Sequence, residues 1–118
     1  MYNFAKQKQW TMEIIFKDKD LQELITTGQN KHYKRIAKDG VLMNGLTRVY
    51  TTLLFAENIA EVQNTSYLHY EKLKHGYSGI SSVRIVQNRV ERLLFTENEN
   101  KIEITLLKID TTHYGNKK

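Results

Sequence analysis

The chain has 118 residues, a net charge of +5 and no cysteine. That length fits one domain with a workable core, and the lack of thiols excludes disulfides and thiolate metal sites. No apolar run is long enough to cross a bilayer and no signal-peptide-like stretch opens the chain, so a cytoplasmic protein without a membrane partner is expected.

Residues 1–11 read as an extension, either native or a tag, and residues 12–118 as the folded domain; Met12 is a second possible start. Residues 12–17 open the domain as a strand. Residues 18–25 form a short helix, capped by Asp18 or Asp20 and ended by Gly28, with Leu21, Leu24 and Ile25 on one face. Residues 30–37 continue as helix, with Tyr33 and Ile36 or Ala37 inward and Lys31, Lys34, Arg35 and Lys38 outward, until Lys38-Asp39-Gly40 breaks it. The longest helix is expected over residues 41–62. Leu42, Leu46, Val49, Leu53, Ala56 and Ala60 recur at steps of four and three, and Gly45 is a weak point within it. This seam reads as the core face of a helical pair lying on a sheet, in preference to a membrane-lying or partner-binding helix.

After a loop at residues 64–66 and a turn bracketed by Gly76 and Gly79, three strands follow at residues 80–86, 92–97 and 102–109. Alternation sets Ser81, Val83 and Ile85 against Ser82 and Arg84, and Leu93 and Phe95 against Arg92 and Leu94. Short links at residues 87–90 and 98–100 make these strands an antiparallel meander, one face of which can pack on helices while the other stays free for a ligand. The fold class is therefore α+β: a small antiparallel sheet, formed by the N-terminal strand and the three-strand meander, on an N-terminal helical pair.

Charge concentrates in this half. Between residues 72 and 92, five cations (Lys72, Lys74, Arg84, Arg89 and Arg92) face Glu91 alone, a net +4. Clustered cations beside Tyr70, Tyr77, His69 and His75 suit a polyanion, although an acidic protein would fit the same patch. Three enzyme signatures are missing: a glycine-rich phosphate loop, a Gly-x-Ser-x-Gly elbow, and metal-ligand spacing among His32, His69, His75 and His113. No metal or cofactor is expected.

The order of elements resembles the RelE, HigB and ParE superfamily of bacterial type II toxins. The likeness to the HigB-like killer branch rests on Leu73-Lys74, Gly76-Tyr77-Ser78-Gly79, Val83-Arg84-Ile85, Arg92-Leu93-Leu94-Phe95 and the terminal Thr112-His113-Tyr114-Gly115. The resemblance implies a toxin neutralised by a cognate antitoxin, a helix-turn-helix protein from the adjacent gene through which alone operator DNA would be bound. It also implies cleavage of mRNA on the ribosome without metal. A ParE-like inhibitor of DNA gyrase and a non-toxic interaction module are the alternatives on the same fold.

Such cleavage needs a base for the 2′-hydroxyl, cations for the phosphorane and an acid for the 5′-oxygen. By position, the resemblance implies Arg84 for the scissile phosphate with Arg92 as second arginine, His113 as terminal acid or base, Tyr114 as C-terminal aromatic and His75 as a second titrating group. Glu71 is a weaker candidate base. Lys72 and Lys74 match the basic loop that would hold RNA. Tyr77 is the aromatic of that loop, with a core or sheet-edge position as its plain reading. Arg84 and Arg92 are farther apart than in many relatives, so Arg89 is an alternative for the second arginine. The plain reading of Arg84 is a solvated strand residue paired with Glu103.

Overall fold

The computed structural model describes residues 12–74, 76, 78–98 and 102–112. The order is β1 (Glu13–Phe16), α1 (Lys19–Thr27), α2 (Lys34–Ala37), α3 (Gly40–Leu54), α4 (Ile59–Asn64), a 3-10 turn (Ser66–Leu68), β2 (Glu71–Lys72), β3 (Ser81–Arg84), β4 (Arg92–Asn98) and β5 (Glu103–Asp110). The strands form one sheet in the order β1-β5-β4-β3-β2.

The helices form as their end signals dictate. Asp18 accepts a hydrogen bond from the Asp20 amide at 2.9 Å to start α1. Gly28 ends it at φ 82°, donating its amide to the Leu24 carbonyl, a left-handed cap that glycine adopts without strain. Asp39 caps α3 by accepting from the amides of Val41 and Leu42. The α3 seam of Leu42, Leu46, Val49 and Leu53 is buried as its period requires.

Three expectations need correction. The single helix over residues 41–62 is two helices, because Asn58 caps α4 by accepting from the Glu61 amide at 2.9 Å while the Glu61 carboxylate accepts from the Glu57 amide at 2.6 Å. These two side-chain caps restart the helix, so Val62 and not Ala60 turns inward. The helix over residues 30–37 shrinks to α2, because the Asn30 side chain bonds Asp20, Glu23 and the Tyr33 amide and so builds a turn instead. The sheet is mixed: β1 runs parallel to β5, with Glu13 opposite Glu103 and Phe16 opposite Leu106, and β2 adds a fifth strand. The meander itself is antiparallel as expected.

The described helices pack against one face of the sheet. Leu21, Leu24, Leu42, Leu46, Val49 and Leu53 pack with Val83, Ile85, Leu93, Phe95, Ile104 and Leu106 in one buried cluster. Gly45 permits the closest approach. A Cβ there would lie 2.6 Å from the Ile85 carbonyl oxygen and 2.7 Å from Val86 Cγ2, so the residue that weakens α3 as a helix is the one that lets it dock. Tyr33 ties the helices to the far end of β5, where its hydroxyl accepts from the Ile109 amide at 3.2 Å, beyond the reach of the short β1. Burial, ahead of the neighbouring Asp18, raises its pKa to about 12.

Candidate functional site

The face away from the helices is organised by two rows of side chains. Val83, Ile85 and Leu93 are committed to the core, so alternation sends Arg84 and Arg92 to the opposite face. The register places Arg84 directly opposite Arg92, and Arg92 directly opposite Asp110. Neighbouring strands lie roughly 4.8 Å apart, so this row of two guanidinium bearers and one carboxylate spans roughly 10 Å of backbone. Two residues along, about 6.6 Å away, the next row reads Glu71, Ser82, Leu94 and Lys108. A register shift pairs Leu94 with Lys108 but Phe95 with Leu106; it passes over Leu107 on β5, so that Ile109 and Leu106 both reach the core.

The first row sets two like charges in register. Like charges directly opposite on neighbouring strands destabilise a sheet, and Arg92 is only 7 % exposed. The Nε of Arg84 is buried without a hydrogen-bond partner, so part of its donor fork remains unused. Asp110 stands beside Arg92 and offsets part of the charge. Asp110 also accepts from the amide and hydroxyl of Thr112 at 3.2 and 2.8 Å, which fixes the backbone as it leaves β5. Arg84 is not in register with Glu103, which stands opposite Asn98 and Glu13; the row partner of Arg84 is Arg92.

No protein-family model and no curated protein matches the sequence. Solved structures do match. YafQ from E. coli strain BL21(DE3) superposes with a TM-score of 0.50 at 15% identity, covering 87% of this chain and 96% of that one. A single-residue variant of the E. coli protein gives the same values. The YoeB-YefM complex from Staphylococcus aureus gives 0.48 at 16% identity, covering 84% and 94%.

The chain has a RelE-like fold.

Within this RelE-like frame the sequence candidates separate. Arg84 and Arg92 come together. Lys72 and Lys74 are exposed at the end of β2 and just beyond it, on the sheet edge next to β3. Arg89 turns instead to the helices, where it pairs with the Asp39 carboxylate and approaches Glu91 at 3.8 Å. These contacts pin the β3–β4 hairpin to the start of α3. Asp39 is held below its ordinary pKa of 3.8 first by the Leu42 amide and next by Arg89. His75, Tyr77, His113 and Tyr114 lie outside the described residues.

Asp110, Lys108 and Ser82 share the arginine face without having been singled out as candidates. The alternation of β5 could have shown the first two, since Lys108 and Asp110 fall on the face opposite Ile109. A further polar group, unmarked by any motif in the sequence, lies where β2 and β3 meet the end of β4. The Tyr70 hydroxyl donates to Glu97, the Ser81 hydroxyl donates to the same carboxylate oxygen at 2.9 Å, and the two hydroxyls are 3.1 Å apart. Burial first, and the bond to Glu97 second, raise the Tyr70 pKa. The helix side carries a broad groove of about 950 Å³, where Lys31, Lys34 and Lys38 face Asp20 and Glu23; none of the sequence candidates lines it.

Proposed function

We propose that this chain is the toxin of a type II toxin–antitoxin pair and that it cleaves mRNA without metal, on the ribosome, in the cytoplasm. The observation that carries the reading is the Arg84–Arg92 row on the face the helices leave free. Two adjacent guanidinium groups supply planar, permanently charged donors for a phosphate whose charge rises in the transition state.

In this mechanism the 2′-oxygen attacks the phosphorus as its proton passes to a base, and the 5′-oxygen leaves as it takes a proton from an acid. Glu71, one row from Arg84 on the same face, is the proposed base, with His75 as the alternative. His113 is the proposed acid, for imidazole changes charge near neutral pH, and Tyr114 a stacking or proton-donating partner. The products are a 2′,3′-cyclic phosphate and a 5′-hydroxyl. Lys72, Lys74 and Tyr77 are assigned to RNA binding. The partner that silences the protein is an antitoxin from the neighbouring gene.

The test is induction of the chain alone, followed by primer extension on cellular mRNA and by a plasmid supercoiling assay. New mRNA 5′ ends with unchanged supercoiling support the nuclease. Growth arrest with intact mRNA and relaxed plasmid would replace it with gyrase inhibition.

A further inference from the structure

Charge on the outer face of the sheet is ordered. In the first row Arg84 stands opposite Arg92, and Asp110 closes the row on β5. In the second row Glu71 opens on β2 and Lys108 closes on β5, with Ser82 and Leu94 between them. The cations thus follow a diagonal from Arg84 through Arg92 to Lys108, and carboxylates hold the two ends that lie off it. Lys108 is exposed, whereas Asp110 is buried. Among the described residues no carboxylate forms an ion pair with Lys108.

This layout suits an RNA backbone of one polarity. Leu94 is opposite Lys108 and Arg92 is opposite Asp110, so Lys108 is the diagonal neighbour of Arg92, roughly 7–8 Å away. A flexible four-carbon stem with a rotatable ammonium can span from there to the phosphate next to the one the arginines hold. The Asp110 carboxylate disfavours a phosphate at the β5 end of the first row, which turns the backbone toward Lys108. The direction of the strand follows from the chemistry. The attacking 2′-oxygen and the leaving 5′-oxygen stand on opposite sides of the phosphorus, roughly in line. Glu71, the proposed base, lies on the β2 side of the arginine pair, so the nucleotide that supplies the 2′-hydroxyl belongs there. The leaving nucleotide then lies toward β5, the strand that leads to His113, the proposed acid. The next phosphate on that side is the one 3′ of the cut.

We propose that Lys108 binds the phosphate on the 3′ side of the scissile one, with the RNA crossing the sheet 5′ to 3′ from β2 toward β5. The inference rests on the ribonuclease reading above and adds to it a residue and a direction.

The experiment is an NMR titration of the full chain with 2′-O-methyl dinucleotides, which lack the nucleophile and so report binding without cleavage. One carries no terminal phosphate, one a 5′-phosphate and one a 3′-phosphate. In the wild type the 3′-phosphate is expected to raise affinity at least threefold. Lys108→Ala, at an exposed position, should abolish that gain and leave the effect of the 5′-phosphate as it was, and Lys108→Arg should keep both. Lys34→Ala removes an exposed charge from the helix-side groove and should also keep both, which separates a phosphate contact from net charge. A wild type that gains nothing from the 3′-phosphate, a gain that survives Lys108→Ala, or loss of the 5′-phosphate effect in its place overturns the proposal. A protein with the Lys108-dependent gain that cuts no RNA keeps the contact and removes the nuclease; an RNA-cutting protein in which Lys108→Ala changes nothing removes the contact alone.

Discussion

The two faces of the sheet follow opposite rules. Beneath the helices, Val83, Ile85, Leu93 and Phe95 form a closed apolar surface on which α3 rides at backbone contact through Gly45. On the other face the same strands present Arg84, Arg92, Asp110, Glu71 and Lys108 around a smaller apolar strip of Leu73, Ile80, Leu94 and Leu107. Because side chains alternate, a single strand serves both. The face that stabilises the domain and the face proposed to act are thereby separable, one residue apart in sequence. Substitutions on the first should register in unfolding, and substitutions on the second in activity.

The largest expected effect on the helix side is at Phe95, which is fully buried. Phe95→Ala should cost about 3–5 kcal/mol in urea unfolding; a loss below about 1 kcal/mol would deny that this face is the core. Gly45→Ala should follow at about 1–3 kcal/mol, although alanine is the better helix former, because the added Cβ meets the Ile85 carbonyl. An unchanged or raised stability would show that α3 can move away from β3 without loss.

Tyr33→Phe joins the two comparisons at the end of β5. It leaves the Ile109 amide without its partner and should cost about 1–3 kcal/mol at neutral pH. Its pH signature has a definite sign. The Tyr33 pKa is raised from 10.0 to about 12 in the fold, so stability held below pH 10.0 is lost as pH rises from there toward 12. The Tyr33→Phe protein should lack that loss, and parallel alkaline profiles for the two proteins would contradict the assignment.

The smallest effect concerns the hairpin clamp. Asp39 has its pKa depressed below 3.8, so its contribution is present above that pH and disappears as pH falls through the folded value. The stability gap between wild type and Asp39→Asn, which keeps a capping side chain but drops the charge facing Arg89, should close in acid. A gap constant from neutral pH to acid would remove the clamp.

Much of this division was legible in the sequence, and the failures have identifiable causes. The period of Leu42, Leu46, Val49 and Leu53 fixed a buried helix face, and the alternation around Val83 and Leu93 fixed the outward side of Arg84 and Arg92. The helix break was also written there, in Asn58 and Glu61, but the apolar seam running through Ala56 and Ala60 outweighed a capping signal of two residues. The parallel pairing of β1 was not legible, since a strand of four residues carries no mark of its neighbour. Gly45 looks like a local weakness because propensity is local, whereas its reason lies in Ile85, forty residues away. The row from Arg84 to Asp110 depends on register across three strands, and sequence spacing alone left Arg89 competing with Arg92. The acid expected at His113 and the aromatic at Tyr114 fall outside the described residues.

The central claim is that the arginine row acts on RNA without supporting the fold. It is tested most directly by mapping mRNA cleavage after induction of wild type and Arg84→Ala, with urea unfolding of both proteins. The account expects cleavage to fall about a hundredfold or more while stability stays within about 1 kcal/mol of wild type. Cleavage at the wild-type rate in a folded Arg84→Ala protein would contradict it.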